Sequence, residues 1–227
     1  MNAYKNCRKV ICIGRNFADH IKELGNATPS EPFFFLKPPS SILLPNTGPV
    51  LLPKGVTAHY EVELALIMGK ILRDLDPEDT QTALDSIGQY ALAIDMTARN
   101  VQEKAKKKGL PWSISKGFDT FLPMSPPIPK SSIPDPQNVH LQLSVNGEVH
   151  QSDLTNLMLF PIPKLLSAIS AVMTLEPNDI VLTGTPKGVG PVVDGDVMDV
   201  ALSYEGKVLE QFAVDVKTRH GVYEFIP

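Results

Sequence analysis

Apolar and polar residues alternate along much of this chain in short segments, and few segments have the longer period of an amphipathic helix. Short runs rich in Val, Ile, Leu and Phe predict β-strands. These strands are expected at residues 10–13, 33–36, 61–68, 89–94, 139–145, 149–151, 180–183, 197–203 and 208–216. Asn146-Gly147 and Glu205-Gly206 each lie between two such runs and predict two hairpins.

Helices are fewer than strands. Four are predicted, at residues 17–24, 77–87, 98–108 and 161–173. Asp76 precedes a proline and is expected to cap the second helix, and Thr97 is a candidate N-cap for the third. Gly109 is expected to close the third helix, and the apolar spacing of the fourth includes Val172. These elements predict an α+β chain, mainly β, rather than a regular βαβ alternation.

The composition is that of an ordinary globular protein. With 227 residues, 43% of them hydrophobic, the chain can bury a core without disulfides, and Cys7 and Cys12 are expected to be unpaired. We expect one domain over residues 1–227, with residues 1–9 as a short lead-in. The net charge of −4 gives no basic excess for nucleic acid, and no apolar run approaches the roughly 20 residues that cross a bilayer. Neither nucleic acid nor membrane is therefore an expected partner.

Two glutamates interrupt the predicted strand at 61–68. Glu61 and Glu63 are two residues apart, so on a strand their side chains point to the same face. On a buried face these carboxylates would repel each other and lose solvation, and a divalent cation would remove both costs. The alternative is a half-exposed strand whose polar face carries two solvated acids.

Asp95 directly follows the strand predicted at 89–94. An acid in this position often caps the next helix, but Thr97 is available for that purpose, which leaves Asp95 for another role. Together with the two glutamates it gives three carboxylates. An oxygen-only ligand set without cysteine favours Mg²⁺, or Mn²⁺, over Zn²⁺.

The helix predicted after Thr97 carries Arg99 and Gln102 on one face. A guanidinium there is suited to bidentate binding of a substrate carboxylate, and a surface salt bridge is the alternative. Lys116 precedes a glycine, where a lysine is usually exposed. The lysines that end this helix are expected to form a solvated helix end that the macrodipole favours; they are Lys104, Lys106, Lys107 and Lys108.

Two further segments carry candidate chemistry. His20 and Glu23 are neighbours on a helix, so Glu23 can orient the imidazole as a general base, although an ordinary surface contact is the alternative. The glycine-rich loop that follows the strand at 180–183 can present backbone N–H groups and the Thr185 hydroxyl to an anion. A plain tight turn is the alternative for this loop.

Six motifs in this order together resemble the fumarylacetoacetate hydrolase family. They are Gly14-Arg-Asn-Phe with His20 and Glu23, Pro32-Phe-Phe-Phe-Leu-Lys-Pro, Glu61-Val-Glu63, Asp95-Met-Thr-Ala-Arg-Asn-Val-Gln102, Lys116-Gly-Phe-Asp and Leu182-Thr-Gly-Thr-Pro-Lys-Gly-Val-Gly190. The resemblance extends from about residue 10 to the C-terminus. It is strongest to the short, single-domain branch of acylpyruvases, oxaloacetate decarboxylases and oxaloacetate tautomerases.

The resemblance implies a mixed β-sandwich roll with a few peripheral helices, and a homodimer. It implies Mg²⁺, or alternatively Mn²⁺, on Glu61, Glu63 and Asp95. It also implies the catalytic residues His20 and Glu23 on a short lid helix, and Lys116; the expected substrate-binding residues are Arg15, Arg99, Gln102 and Thr185. This branch is usually mitochondrial in eukaryotes, so we expect the mitochondrial matrix. The cytoplasm is the alternative because no presequence is visible.

The implied substrate is a short 2-oxo acid, whose C1 carboxylate and C2 oxygen can chelate the metal and be stabilised as an enolate. Enol–keto tautomerisation of oxaloacetate, its decarboxylation, and hydrolysis of acylpyruvates all follow from that state. We expect an oxaloacetate tautomerase with acylpyruvate hydrolase activity, since decarboxylation alone would not need His20 and Glu23. The alternatives are an oxaloacetate decarboxylase, and a non-catalytic metabolite-binding module that retains the metal site.

Overall fold

The protein is described by a computed structural model that covers residues 4–23, 25 and 27–227. Its strands are β1 (Val10–Gly14), β2 (Phe33–Lys37), β3 (Ile42–Leu43), β4 (Val50–Leu52), β5 (Ala58–His59), β6 (Val62–Met68), β7 (Ile87–Ile94), β8 (Thr97–Ala98), β9 (Leu122–Pro123), β10 (Ile128–Pro129), β11 (Val139–Val145), β12 (Glu148–Leu154), β13 (Ile180–Leu182), β14 (Pro191–Val192), β15 (Val197–Tyr204) and β16 (Lys207–Thr218). Its α-helices are α1 (Ala18–Glu23), α2 (Thr80–Ser86), α3 (Arg99–Lys108), α4 (Ser113–Lys116) and α5 (Ile162–Ser170). The chain is therefore α+β and mainly β, as its sequence predicts.

A mixed six-stranded sheet carries the site. Its strand order is β10-β7-β6-β13-β1-β2, with β1 and β13 parallel and the other neighbours antiparallel. The central strand β6 is buried along its whole length because both of its faces pack against apolar clusters. Leu64 and Leu66 face the larger cluster, whereas Ala65 and Ile67 face the smaller one. Because side chains alternate along a strand, Glu63 lies on the face of the smaller cluster.

A second, five-stranded sheet has the order β12-β11-β15-β16-β4. Leu141 and Leu143 of β11 and Leu202 of β15 are buried, and they join the larger apolar cluster to which β6 also contributes. The two sheets thus share one core, as in a β-sandwich. Within the described residues, no helix has the length and apolar character needed to cross a membrane.

Both predicted hairpins are present. Asn146 and Gly147, between β11 and β12, have φ angles of 51° and 83°; Glu205 and Gly206, between β15 and β16, have 49° and 77°. Positive φ at both central residues defines a type I′ turn, which matches the twist of the flanking strands. Each of the longer predicted strands is also present, with ends that differ by a few residues. Of the strands of two or three residues, β13 was predicted from the apolar run at 180–183; the others were not, because so short a segment shows no periodicity.

The predicted N-caps of two helices are wrong. Helix α2 begins after Asp79, whose carboxylate accepts the N–H of Thr82, and Asp76 does not cap it. Thr97 does not cap α3 either, because it lies in β8 and donates its hydroxyl to Glu61 at 2.9 Å. Ala98 precedes α3 without a side-chain cap.

The helix ends agree with the sequence in part. Gly109 closes α3 with a left-handed φ of 64°, as predicted. Helix α5 is shorter than predicted, and Val172, expected on its apolar face, is 71% exposed because the helix ends at Ser170. The first helix, predicted at 17–24, is α1, and Leu24 lies outside the described residues.

The lead-in predicted at residues 1–9 is described from Tyr4 onward. The Tyr4 ring is buried, and its hydroxyl donates to the Ser125 carbonyl at 2.6 Å. Cys7 and Cys12 are unpaired, as predicted. Residues 1–3 lie outside the described part of the chain.

Candidate metal centre and catalytic pocket

Three carboxylates meet where β6 begins and β7 ends. The antiparallel register pairs Glu63 with Ala93, and the Asp95 N–H donates to the Glu61 carbonyl at 2.7 Å just beyond the ladder. The same-face alternation of both strands therefore brings Glu61, Glu63 and Asp95 to one point. One oxygen from each of the three lies within 4.8 Å of the others.

Three buried cations surround this cluster. Lys116 Nζ donates to Glu61 Oε2 at 2.9 Å and to Asp95 Oδ2 at 2.6 Å. Lys37 Nζ donates to Asp95 Oδ1 at 2.7 Å, and Arg99 Nη2 donates to Glu61 Oε1 at 2.6 Å. Lys116, expected near the surface from its sequence context, is only 2% exposed. Buried charges require such partners, because an unpaired ion loses its hydration without compensation.

Of the three carboxylates, Glu63 is the one that has no paired cation among the described residues. Its Oε2 accepts the Gly184 N–H at 2.7 Å. Burial raises the pKa of Glu63 well above its usual value, and the charges of Asp95 and Glu61 raise it further. Burial would also raise the pKa of Glu61. The charges of the adjacent cations, of which Lys116 has the largest effect, outweigh burial and hold that pKa well below its usual range.

A divalent cation fits this cluster on two observations. Lys116 bridges Glu61 and Asp95 with its ammonium, so their oxygens already face a common positive charge. The buried carboxylate of Glu63 has no paired cation, and a doubly charged ion would neutralise it. The oxygen-only donor set suits Mg²⁺ or Mn²⁺. The alternative of two solvated acids is wrong, because Glu61 and Glu63 are 7% and 1% exposed.

The conformation of Gly184 fixes the donor to Glu63. Its φ of 99° is one that other residues rarely adopt, and a Cβ there would lie 2.8 Å from Cβ of Asn16. We expect Gly184→Ala to lower the free energy of unfolding by about 1–3 kcal/mol and to weaken metal binding, because Glu63 loses its aligned donor. Chemical denaturation and a metal titration measure the two effects.

Gly147→Ala is the matched control for that substitution. Gly147 also has a positive φ, of 83°, but no atom lies within 4 Å of the position of its Cβ. This variant is expected to show the backbone strain without the change in metal affinity. Unchanged metal affinity in Gly184→Ala would contradict the role given to Gly184.

His20 and Glu23 form the pair predicted from their spacing. His20 Nδ1 lies 3.3 Å from Glu23 Oε2, and the Gly188 N–H donates to both Glu23 oxygens at 3.1 and 3.2 Å. Burial lowers the pKa of His20 below its usual value, although the charges of Glu61 and Glu23 oppose the shift. The imidazole is therefore neutral near pH 7, which is the state that accepts a proton.

One nitrogen of the Arg99 guanidinium has no hydrogen-bond partner among the described residues. Its Nη1 donates to Gln102 Oε1 at 2.8 Å, while Nη2 is bonded to Glu61. Its Nε is buried and has no hydrogen-bond partner among the described residues. An unused buried donor is costly, and a ligand oxygen would satisfy it. The alternative of a surface salt bridge is wrong, because the Arg99 side chain is 10% exposed.

The Thr185 hydroxyl is already engaged within the protein. It donates to the Val62 carbonyl at 2.8 Å and accepts from Gln151 Nε2 at 2.8 Å. Thr185 thus lines the pocket, but its hydroxyl proton is not aimed at a ligand there. Gln151 in turn accepts the Val62 N–H at 3.0 Å, which ties the glycine-rich loop to the edge of β6.

One pocket gathers most of the residues predicted from the sequence. Those that line it are Arg15, His20, Glu61, Glu63, Arg99, Gln102, Lys116 and Thr185. Of the other two, Glu23 contacts His20 and Asp95 contacts Lys116. The pair of His20 and Glu23 and the carboxylate cluster therefore border a single pocket.

Sequence reasoning missed four residues of this region. Lys37 donates a hydrogen bond to Asp95, and Thr97 donates one to Glu61. Lys106 and Trp112 line the pocket itself. Lys37 ends the apolar strand β2, and a lysine within so apolar a segment is a usable signal of a buried pair. Lys106 was expected only as part of a solvated helix end, and no local pattern separates it from its neighbours.

The family model described as fumarylacetoacetate (FAA) hydrolase, C-terminal, matches residues 9–213. The chain is 60% identical over 194 residues to the mitochondrial oxaloacetate tautomerase oaa1 of Schizosaccharomyces pombe, covering 86% of this chain and 88% of that protein. It is 51% identical over 197 residues to a mitochondrial oxaloacetate decarboxylase of Dictyostelium discoideum, covering 86% and 89%. Among solved structures, a fumarylpyruvate hydrolase of Pseudomonas aeruginosa in complex with Mn²⁺ and pyruvate has a TM-score of 0.84 at 33% identity, covering 94% and 91%.

Proposed function

Because this chain belongs to the fumarylacetoacetate hydrolase family, we propose that it is an enzyme of short 2-oxo acids, an oxaloacetate enol–keto tautomerase that also hydrolyses acylpyruvates and requires Mg²⁺ or Mn²⁺. The observation that carries the proposal is that His20 and the three-carboxylate cluster line or border one pocket. The names of the similar tautomerase and of the hydrolase with Mn²⁺ and pyruvate support it.

Glu61, Glu63 and Asp95 would hold the metal. When bound, a divalent cation supplies Lewis-acid polarisation of the C2 oxygen of a 2-oxo acid and so favours loss of a proton from C3. Lys116 contributes a fixed positive charge at the same place. Burial would lower the pKa of Lys116, but the charges of Asp95 and Glu61 raise it, so the ammonium stays protonated and acts electrostatically rather than as a base.

His20 is the group that moves the proton. With Glu23 accepting from Nδ1–H, the lone pair of the imidazole is on Nε2, and the His20 side chain lines the pocket. Nε2 can accept the hydroxyl proton of the enol and deliver it to C3, or move a proton from C3 to the C2 oxygen in the reverse direction. For an acylpyruvate, the same atom can take a proton from the water that attacks the C4 carbonyl.

Arg99 and Gln102 position the substrate. The unsatisfied Nε–H of Arg99 is a donor for a substrate carboxylate, and the bond from Nη1 to Gln102 fixes the orientation of the guanidinium. A rigidly held donor binds an oxygen at a smaller entropic cost than a mobile one.

Decarboxylation of oxaloacetate is the second candidate function. The similar protein from Dictyostelium discoideum carries that name, and loss of CO₂ requires the electron sink but no base. The ordered pair of His20 and Glu23 would then have no task. This observation favours tautomerisation and hydrolysis over decarboxylation as the principal activities.

The expected setting is the mitochondrial matrix, which the names of the similar tautomerase and decarboxylase support. We further propose a homodimer, the assembly implied by the family resemblance. Fractionation of cells that express the full protein tests the first proposal, and sedimentation of the purified protein tests the second. A cytosolic fraction in place of a mitochondrial one, or a monomer at micromolar concentration, would contradict them.

The function is tested by supplying oxaloacetate as its enol to the metal-loaded protein. We expect rapid loss of the enol absorbance, much slower release of pyruvate and CO₂, and loss of the rate when the metal is chelated. A rate of enol loss equal to that in buffer alone would contradict the tautomerase activity. Equal rates of enol loss and pyruvate release would instead favour decarboxylation, and acetylpyruvate tests the hydrolase in the same preparation.

A further inference from the structure

Three aromatic rings pack together at the pocket, and two of them, Phe35 and Trp112, line it. The rings belong to Phe33 and Phe35 on β2 and to Trp112. We call these three rings the aromatic wall. The Trp112 ring lies 5.7 Å from the Phe33 ring and 5.4 Å from the Phe35 ring, measured between centroids. Phe33 and Phe35 share a face of β2 because they are two residues apart.

A cationic side chain lies over each ring of the aromatic wall. The Arg15 guanidinium carbon lies 5.6 Å from the Phe33 centroid, Lys116 Nζ lies 4.9 Å from that of Phe35, and Lys106 Nζ lies 5.4 Å from that of Trp112. These distances are typical of cation–π interactions, which fix the position of a charge without neutralising it. All three cations also line the pocket.

Two of these cations have no carboxylate partner. Lys116 is paired with Glu61 and Asp95, but neither Arg15 nor Lys106 lies within 4.0 Å of a carboxylate in the described part of the chain. Lys106 is exposed overall, but partial loss of solvation lowers its pKa, and repulsion from Arg99 and Arg15 lowers it further. Unpaired cations that repel one another are stabilised by an anion between them.

The backbone of Arg15 supports a functional reason for this arrangement. Its φ is 57°, in the left-handed region that residues other than glycine seldom adopt. This conformation follows directly after β1 and accompanies the placement of the guanidinium over Phe33. Strain of this kind persists where the surrounding structure holds it, and it concentrates at ligand sites.

We propose that Arg15 and Lys106, held over Phe33 and Trp112, bind the distal carboxylate of a dicarboxylic 2-oxo acid, and that Lys106 determines the preference for such substrates over monocarboxylic ones. The inference rests on the proposed function for the identity of the other end of the substrate. The metal ligands and Arg99 take up the 2-oxo acid group, whereas the two unpaired cations remain for a second negative charge.

Kinetics of Lys106→Gln test this specificity. We expect KM for oxaloacetate to rise about tenfold with little change in kcat, and both constants for acetylpyruvate, which has a single carboxylate, to change less than twofold. Lys106→Arg is expected to restore KM for oxaloacetate. An equal loss with both substrates, or no loss with either, would overturn the proposal.

Lys107→Gln is the matched control, because it removes the same charge from the next position of α3 but does not line the pocket. It is expected to leave the ratio of the two KM values unchanged. A rise in KM for oxaloacetate as large as that in Lys106→Gln would assign the effect to net charge and overturn the proposed contact.

Binding of non-reacting acids separates this inference from the proposed activity. L-malate and L-lactate share a 2-hydroxy acid group, and only malate has a distal carboxylate. Calorimetry with metal-loaded protein is expected to show tighter binding of malate in the wild type and loss of most of that preference in Lys106→Gln. This result would stand even if the protein did not turn over oxaloacetate. Equal affinity of the wild type for both acids would overturn the inference.

Discussion

Glu63→Gln is expected to abolish metal-dependent activity, by a factor of about 10³ or more, without lowering the stability of the metal-free protein. Of the three carboxylates in the cluster, Glu63 is the one whose charge no adjacent cation of the described residues balances. Its pKa is raised by burial and by the charges of Asp95 and Glu61. A glutamine resembles the protonated acid in shape and still accepts the Gly184 N–H. The amide cannot supply the negative charge that a divalent cation requires.

The measurement compares thermal unfolding with and without Mg²⁺. The wild type is expected to gain stability from the metal according to its occupancy, whereas Glu63→Gln should unfold at the same temperature in both conditions. A metal-induced rise in Tm that persists in Glu63→Gln would show that Glu63 is not a ligand.

Asp95→Asn is the informative comparison, because it removes a charge that two cations need. Lys116 and Lys37 would each lose an ionic partner in a buried environment, which costs about 3–5 kcal/mol for a broken buried pair. We therefore expect both variants to lose metal binding, but only Asp95→Asn to be strongly destabilised without metal. Equal stabilities of the two variants would contradict the charge balance assigned to the cluster.

His20→Ala is expected to reduce acylpyruvate hydrolysis by a factor of about 10²–10⁴ and to slow tautomerisation, while any oxaloacetate decarboxylation is retained. The first two reactions need a group that moves a proton, and the buried imidazole beside Glu23 is the group placed to do so. The three rates should be measured on one preparation with metal bound. Equal loss of all three would show that His20 supports the pocket rather than the proton transfer.

Glu23→Gln refines the test of His20. The amide keeps the size of Glu23, but it removes the charge that favours the required tautomer and opposes the lowered pKa of His20. We expect an intermediate loss of hydrolysis. Because the base is the neutral imidazole and its pKa lies below the usual 6.5, the acid limb of kcat/KM should fall at a pH below 6.5 in the wild type and at a still lower pH in this variant. An acid limb that does not move would place the titration on another group.

The local part of the fold could be predicted from the sequence. The hairpin at Asn146-Gly147 depends on the conformational preferences of adjacent residues, and the strands β1, β6 and β11 follow from runs of apolar side chains. The start of α2 could not be placed, because Asp76 and Asp79 are both good caps. The structure uses Asp79, through its bond to Thr82.

The sequence by itself determined which residues could form the candidate site, because their chemistry and order are written along the chain. Glu61 and Glu63 share a face by their spacing alone, and His20 and Glu23 are neighbours on a helix by theirs. The resemblance to a family then supplied roles that spacing could not. Glu63→Gln and His20→Ala test those roles.

Only the tertiary structure decided how the charges are balanced. Lys37 reaches Asp95 across 58 positions of the chain, and Thr97 reaches Glu61 across 36. The tertiary structure also shows that Lys106 lies over Trp112 in the pocket, whereas the adjacent Lys107 does not line the pocket. These contacts depend on strand register and on the packing of distant elements, so a local pattern of hydrophobic and polar residues contains no information about them.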